Sequence, residues 1–469
     1  MSFQTAQKAS AGEALDNSPR RRAIGLFSLC LGTALIVMEA NVVNVALPVI
    51  RTQMHANAVA GLWVSAAYTL VLAVLLLSAG RAGDRIGARR SYLIGLAIFG
   101  VASVLCSLAG QAALLIPARA LQGVGAALLV PAPLTLITRM YPDPAGRARA
   151  IATWVSVGAI GFMIGPLLGG LMLDTFGWRS IFLLNVPVVL LTGVLTYRYV
   201  TQAPGKPAAF DPAGQLLAVL GLTGVVYGLV SSSLDGWSSA FVLAPLGGGL
   251  IVFAAFAAVQ RSGARTGRDV LLPPGILAAR PVLSGLLSGW VYNFTLYGML
   301  LVYTFVFQDT RHYSALRTGL AFLPLTLAAV LVTTFIGGRF LASRGPRAAV
   351  VSGWFLSAAG LAVLAVGSAP YPVIAAGFIL FALGLGISAP GQTLAVMSFA
   401  PDEHKNMASS ALNSARQTGG VTGVALLGAL SVANPGAGLT AAMLIGVGAC
   451  LIAAYTALRH IPAHSPQPH

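Results

Sequence analysis

Charge is what this 469-residue chain has least of: 9% of its residues are Asp, Glu, Lys or Arg, against about 25% in an ordinary soluble domain. Only 12 residues are acids while 57% are hydrophobic, so a water-soluble fold is excluded. Lysine is scarcer still, with three copies, Lys8, Lys206 and Lys405. None sits in a G-x-x-x-x-G-K-[ST] loop that would cradle a nucleoside triphosphate, so ATP is not the direct energy source. The three cysteines, Cys30, Cys106 and Cys450, all fall inside apolar runs, too few and too scattered for a disulfide framework or a metal site. The six histidines, His55, His312, His404, His460, His464 and His469, all lie outside those runs. An intramembrane enzyme would lack its usual acid–base group. We therefore expect no enzyme, no cofactor and no metal.

What the chain does have is apolar runs, near 23–48, 61–79, 91–109, 112–138, 150–172, 180–199, 213–233, 240–260, 282–307, 318–338, 348–368, 372–397, 407–431 and 438–458. Most approach the roughly 20 residues that cross a bilayer as a helix, which predicts an all-α polytopic membrane protein of fourteen spans. The first run, Ala23 to Pro48, is longer than a signal-peptide core and no small-residue cleavage site follows it, so it reads as a retained span. An even count places both termini on one side of the lipid bilayer. Of the 28 basic residues, 22 fall in the first tail and the even-numbered connections, whereas the opposite loops hold only Arg51, Arg179, Arg311 and Arg317. Positive charge collects on the cytoplasmic side of membranes, so both termini are expected there. The formal charge of +16 then faces headgroups, and no nucleic-acid partner is expected. Arginine outnumbers lysine 25 to 3, the composition of a high-GC bacterium, which points to a bacterial cytoplasmic (inner) membrane.

Sliding the chain against itself by 258 residues carries Gly80, Arg81, Gly87 and Arg89 onto Gly338, Arg339, Gly345 and Arg347, and Gly161, Gly165 and Gly170 onto Gly419, Gly423 and Gly428. A shift of 259 carries Gly125 and Pro131 onto Gly384 and Pro390. Three regions agreeing within one residue are better explained by duplication than by chance. The expected organisation is a cytoplasmic tail at 1–22, a six-helix half at 23–200, a linker with two extra transmembrane helices at 201–281, a second six-helix half at 282–459, and a cytoplasmic tail at 460–469. Parallel halves of this kind build many secondary transporters, with the substrate site near mid-membrane between them. The two extra helices read as peripheral.

Five stretches share a resemblance. Gly80-Arg-Ala-Gly-Asp-Arg-Ile-Gly-Ala-Arg-Arg90 resembles the G-x-x-x-D-R-x-G-R-R signature between the second and third helices of the major facilitator superfamily, matching at Gly80, Asp84, Arg85, Gly87, Arg89 and Arg90, with Ala88 where a base is usual. Arg119-Ala-Leu-Gln-Gly-Val-Gly-Ala-Ala127 resembles the family's R-x-x-Q-G-x-G-A-A motif. Gly161-Phe-Met-Ile-Gly-Pro-Leu-Leu-Gly-Gly170 resembles its antiporter motif, and Leu35 to Pro48 and Asn413 to Gly420 resemble its fourteen-helix drug:proton antiporter branch. Glu39 stands where that branch usually has Asp, and Asn41 where it has Thr. The resemblance implies a gating role for the Asp84 loop, and proton coupling by the first-helix acid with the fourth-helix arginine, here Glu39 and Arg119. The residues also have reasons of their own. Gly161, Gly165 and Gly169 form a ridge on which a helix can pack closely, and Pro166 marks a bend.

Glu39 is the only one of the 12 acids well inside a span. A carboxylate there costs about 2.5 to 3.5 kcal/mol on insertion scales, so its default reading is functional. Arg119 and Arg416 are the candidate partners. Burial opposes the charge on Glu39 and a neighbouring arginine supports it, so a conformational change that alters either one loads or unloads a proton. One intramembrane acid against two arginines disfavours a site for dications and tolerates neutral or anionic compounds. In the ninth run Trp290, Asn293, Phe294 and Tyr297 share a helical face, and Tyr297 is the repeat equivalent of Glu39. That face could line a cavity or pack against other helices. Asn41, Asn44, Gln122, Arg416 and Gln417 complete the candidate cavity positions. The leading expectation is a monomeric, proton-driven exporter of small amphipathic organic molecules such as a drug or antibiotic. The alternatives are an exporter of a polar endogenous metabolite, an uptake symporter, disfavoured by the antiporter motif, and a membrane receptor on the same fold.

Overall fold

A computed structural model describes residues 18–202, 205, 211–266, 268, 270–366, 369–401 and 405–463. Most of both expected tails, with Lys8, Lys206, His404, His464 and His469, lies outside these residues. The described chain is helical. The first helix, α1 (Pro19–Gln53), starts where the Ser18 hydroxyl accepts from the Arg21 amide at 3.2 Å and proline takes the first helical position. It is followed by α2 (Ala58–Ile86), α3 (Ala88–Leu108), α4 (Ala112–Leu129), α5 (Ala132–Met140), α6 (Pro144–Phe176) and α7 (Arg179–Tyr199). The linker contributes α8 (Pro212–Asp235), α9 (Ala240–Arg265) and the short α10 (Pro274–Ala278). The rest consists of α11 (Arg280–Phe305), α12 (Ala315–Ala321), α13 (Leu323–Leu331), α14 (Gly338–Leu364), α15 (Tyr371–Phe399), α16 (Lys405–Ala433) and α17 (Pro435–His460). One π-helical turn, Val306–Thr310, extends α11, and another, Val332–Gly337, joins α13 to α14.

Among the described residues twelve helical stretches are long and apolar enough to cross a membrane, two fewer than the fourteen expected. Both differences have a local cause. Ala315–Leu364 forms one helical stretch of 50 residues, more than twice a bilayer's requirement, and it contains two of the expected spans. They meet at Gly345, whose φ of +78° and ψ of 170° are not helical. The helix α16 is not among the twelve, because Ser409, Ser410, Asn413, Ser414, Arg416, Gln417 and Thr418 dilute its apolar residues.

The internal repeat is visible in the backbone. Gly87 and Gly345, 258 residues apart, both hold a positive φ with an extended ψ, +91° and 134° at the first, +78° and 170° at the second. A side chain at such a position is strained. Equivalent helix crossings recur too. A methyl group at Gly95 would lie 2.9 Å from the Gly125 carbonyl, and one at Gly353 would lie 2.6 Å from the Gly384 carbonyl. So α3 meets α4, and α14 meets α15, backbone against backbone at matching glycines.

The side of the bundle at the start of α1 is here the terminal face, and the side at the loop after α1 the opposite face. Among the described residues three hydrogen bonds join the two halves, all towards the opposite face. Arg51 donates to Asp309 at 3.2 Å, Gln308 donates to the Val45 carbonyl at 2.8 Å, and the Leu316 amide donates to Asp174 at 3.0 Å. Apolar contact reinforces them: Leu301, Phe305 and Val424 from the second half share one buried cluster with Val42, Leu62 and Ile181 from the first.

The two linker helices differ from each other. Phe241, Leu250 and Ile251 of α9 are 72%, 63% and 72% exposed, an apolar surface suited to lipid. The other helix, α8, packs against both α2 and α16, burying Leu222, Val226 and Val230, and Gln215 bonds to Ser78 and to the Val74 carbonyl. Thus α9 is peripheral, and α8 wedges between the halves.

Candidate functional site

Glu39 occupies the middle of α1 and is 1% exposed. Its charge is met by three side chains from two helices. Arg119 of α4 donates through Nη1 to Oε1 at 2.6 Å, Gln122 one turn later donates through Nε2 to the same oxygen at 3.2 Å, and Asn185 of α7 donates to Oε2 at 2.8 Å. Arg119, Gln122 and Asn185 are themselves no more than 1% exposed. The i, i+3 spacing of Arg119 and Gln122 puts both on the face of α4 that looks at α1, where they also bond each other at 2.6 Å. Ser103 of α3 accepts from Gln122 at 3.0 Å and from Asn185 at 3.3 Å, tying the two amides together.

The arginine is held as tightly as the acid. Its Nε donates to the Val64 carbonyl of α2 at 3.2 Å, and its guanidinium carbon lies 4.5 Å from the Tyr68 ring centroid and 5.7 Å from that of Phe182. Aromatic faces carry negative charge density, so the cation is stabilised where water is excluded. Breaking a pair buried like this by removing one partner costs about 3–5 kcal/mol. Two polar atoms beside the pair have no hydrogen-bond partner, the Tyr68 hydroxyl and Asn185 Oδ1. A cavity of about 10 Å³, lined by Glu39, Met38, Val42, Gly169, Met172 and Ile181, reaches the carboxyl between α1, α6 and α7. That is roughly the space of a single water.

The glycine ridge of α6 lies along the same helix as the acid. Methyl groups at Gly161, Gly165 and Gly169 would meet α1 at Ala34, Asn41 and Val42, at 3.1, 3.3 and 2.8 Å. Gly170 instead faces the other half, with α12 backbone atoms of Ala315 at 2.5 Å, and the Pro166 carbonyl abuts Gly319. Gly80 and Gly87 flank the signature loop on the terminal face. Asp84, Arg85 and Arg90 are exposed there, and Asp84 makes no hydrogen bond or ion pair among the described residues. Arg89 donates to the Tyr197 carbonyl and lies over that ring.

The other expected positions divide. Gln122, expected to line a cavity, binds Glu39. Asn44 accepts from Ser65 at 2.7 Å, and Asn41 turns its amide back to the Val37 carbonyl at 2.6 Å, leaving Oδ1 without a partner. Arg416, one of two candidate partners for Glu39, sits in the other half and donates to Thr393 at 3.2 Å. Gln417 next to it is half-buried. On α11 Trp290 and Phe294 stack with centroids 4.6 Å apart, while Asn293 and Tyr297 pack against Gly420 of α16, so much of this face is in helix packing. Sequence reasoning missed Asn185, Ser103, Tyr68 and Gln392. Each is a polar group inside an apolar run, and a census of such groups would have found them.

Comparison with known proteins agrees with this architecture. Residues 29–424 match the model of the Major Facilitator Superfamily. The chain is 35% identical over 436 residues to the puromycin resistance protein pur8 of Streptomyces alboniger, covering 91% of this chain and 84% of that one. It is 33% identical over 426 residues to the drug efflux pump JefA of Mycobacterium tuberculosis, covering 90% and 82%. Among solved structures, a bacterial homolog of the human lysosomal transporter Spinster, in an inward-facing and unoccupied conformation, superposes with a TM-score of 0.69 at 17% identity, covering 96% of this chain and all of that one. With a family match across most of its length and relatives a third identical to it, this multi-pass membrane protein belongs to the Major Facilitator Superfamily.

Proposed function

We propose that the protein is a proton-coupled antiporter that exports small amphipathic organic molecules, drugs or antibiotics, across a bacterial inner membrane by alternating access. Relatives named for puromycin resistance and drug efflux support the substrate class. The observation that carries the mechanism is Glu39, a carboxylate 1% exposed with three donors on its two oxygens. The Asn185 amide suits both states of the acid. As placed, Nδ2 donates to the carboxylate; turned over, its unpartnered Oδ1 accepts the O–H of the protonated form. Protonation weakens the hold on Arg119, and substrate entry that moves either side chain releases the proton. One proton crossing a potential of 100 mV supplies about 2.3 kcal/mol, enough for a substrate gradient of roughly fiftyfold.

The chain crosses the membrane fourteen times on this reading. Dividing Ala315–Leu364 at Gly345 adds one crossing to the twelve, and α16, sheltered from lipid by α2, α8, α11 and α17, adds the other. Both termini are cytoplasmic, which places the Asp84 loop inside and the Arg51–Asp309 contact outside. Closure towards the outside, with Asp84 making no ion pair among the described residues, fits an inward-open carrier. The protein acts as a monomer, since one chain supplies both halves of the site.

The test is proton flux in liposomes holding a trapped pH dye. Neutral, cationic and anionic amphipaths are added to wild type and Glu39→Gln under an imposed proton gradient. Substrate-evoked flux in wild type that disappears in Glu39→Gln supports antiport through Glu39. Equal flux in both makes Glu39 structural and removes the mechanism.

A further inference from the structure

The second half contains its own buried polar cluster, which the Glu39 network does not use. Gln392 of α15 is 0% exposed, and neither its Nε2 nor its Oε1 has a hydrogen-bond partner. A fully buried amide with every bond unmade is rare in a folded protein, and it marks a place where a partner is missing. Arg416 of α16 stands nearby. A methyl group at Gly289 of α11 would lie 3.4 Å from Arg416 Cγ and 3.7 Å from Gln392 Oε1, with Leu412 Cδ1 nearer at 2.5 Å, so the two polar side chains converge on one glycine. The guanidinium has no carboxylate within salt-bridge distance among the described residues. Its one hydrogen bond is to Thr393, its buried Nε is unpartnered, and it lies 5.8 Å from the Tyr292 ring centroid. A cation within a membrane helix ordinarily finds a counter-charge. Among the described residues Arg119 has one and Arg416 does not.

We infer that Arg416 and Gln392, with Thr393, form a subsite for an oxyanion of the transported molecule, a carboxylate or an ionised phenol. The guanidinium supplies charge and paired N–H donors, and the Gln392 amide supplies another N–H, the geometry that planar oxyanions select. Tyr292, whose ring centroid lies 5.8 Å from the guanidinium carbon, offers a ring face for an aromatic body attached to that group. The subsite rests on the exporter reading for its biological meaning, and it is tested by binding, without transport.

The probes are 2-naphthoate and its neutral amide, 2-naphthamide, titrated against the full-length protein in nanodiscs by tryptophan fluorescence and calorimetry. Wild type should bind the carboxylate more tightly than the amide. Arg416→Gln should weaken naphthoate by about 10- to 100-fold, the range of a charge-assisted pair, while naphthamide changes by less than about threefold. Arg416→Lys should retain part of the preference, and Gln392→Leu, which keeps the volume and removes the amide, should weaken naphthoate. An unchanged elution profile and unchanged naphthamide affinity show that Arg416→Gln is folded. Equal binding of the two probes to wild type, an equal loss of both in Arg416→Gln, or no binding of either overturns the subsite. Preferential naphthoate binding by a protein that moves nothing in liposomes keeps the subsite and removes the exporter; transport of neutral amphipaths with no carboxylate preference does the reverse.

Discussion

Asp309→Asn is the perturbation whose magnitude follows most directly from the geometry. Arg51 and Asp309 are repeat equivalents, 258 residues apart, and their side chains meet across the halves at 3.2 Å while 28% and 41% exposed. Exposure of that degree lets water screen the pair, which is then worth about 0.3–1 kcal/mol. Removing the charge therefore lowers the ratio of closed to open states on the opposite face by roughly two- to fivefold. The bonds from Gln308 to Val45 and from Leu316 to Asp174 remain and hold the closed state in the majority. Nitroxides at Thr175→Cys and Ala433→Cys, both exposed on that face, report the ratio as a distance distribution, since Cys30, Cys106 and Cys450 are buried from the label. Salt near 1 M, where the screening length is about 3 Å, should move wild type the same way and leave Asp309→Asn unmoved. Exchanging the residues, Arg51→Asp with Asp309→Arg, should restore the wild-type distribution, because the repeat relates the two positions. An unchanged distribution in Asp309→Asn, or no recovery on exchange, would refute the argument that this pair latches the halves.

Gly170→Val should open the opposite face further than Asp309→Asn does, because even a methyl there comes within 2.5 Å of the Ala315 carbonyl in the other half; the same spin labels check it. Gly87→Ala should cost about 1–3 kcal/mol for a side chain at that positive φ, read as a lowered thermal midpoint of the purified protein. Asn185→Leu removes a donor to the Glu39 carboxylate, worth about 1.5–3 kcal/mol in charge-assisted bonds; substrate-evoked proton flux should fall about tenfold or more while the protein stays monodisperse. Gln215→Leu releases α8 from Ser78 and the Val74 carbonyl, and a fall in transport with little loss of stability would show that α8 takes part in the motion of the halves.

The membrane class, the duplication and the choice of Glu39 were all legible along the chain. Hydropathy is a local sum, the repeat is a comparison of the chain with itself, and a lone acid in an apolar run stands out against its neighbours. The span count differs: along the chain 318–338, 348–368 and 407–431 read as three separate runs, whereas the structure joins the first two in one helical stretch and the third falls short of the other spans in apolarity. The partners of Glu39 were a different matter. Charge alone offered both Arg119 and Arg416, and only the family resemblance favoured Arg119; in the structure Arg119 lies 2.6 Å from the acid and Arg416 in the other half beside Thr393. Asn185 and Ser103 joined the site from α7 and α3; their polarity marks them within apolar runs, but nothing along the chain says that they meet Glu39 and Gln122. A soluble helix advertises its buried side by an apolar stripe, but a membrane helix is apolar all round, so its pattern does not record which face meets which neighbour. Rotation and crossing of the helices settle that, through contacts such as Gly95 on Gly125 and Gly161 on Ala34. They bring Arg119 to Glu39 and leave Arg416, among the described residues, beside Thr393 and no acid.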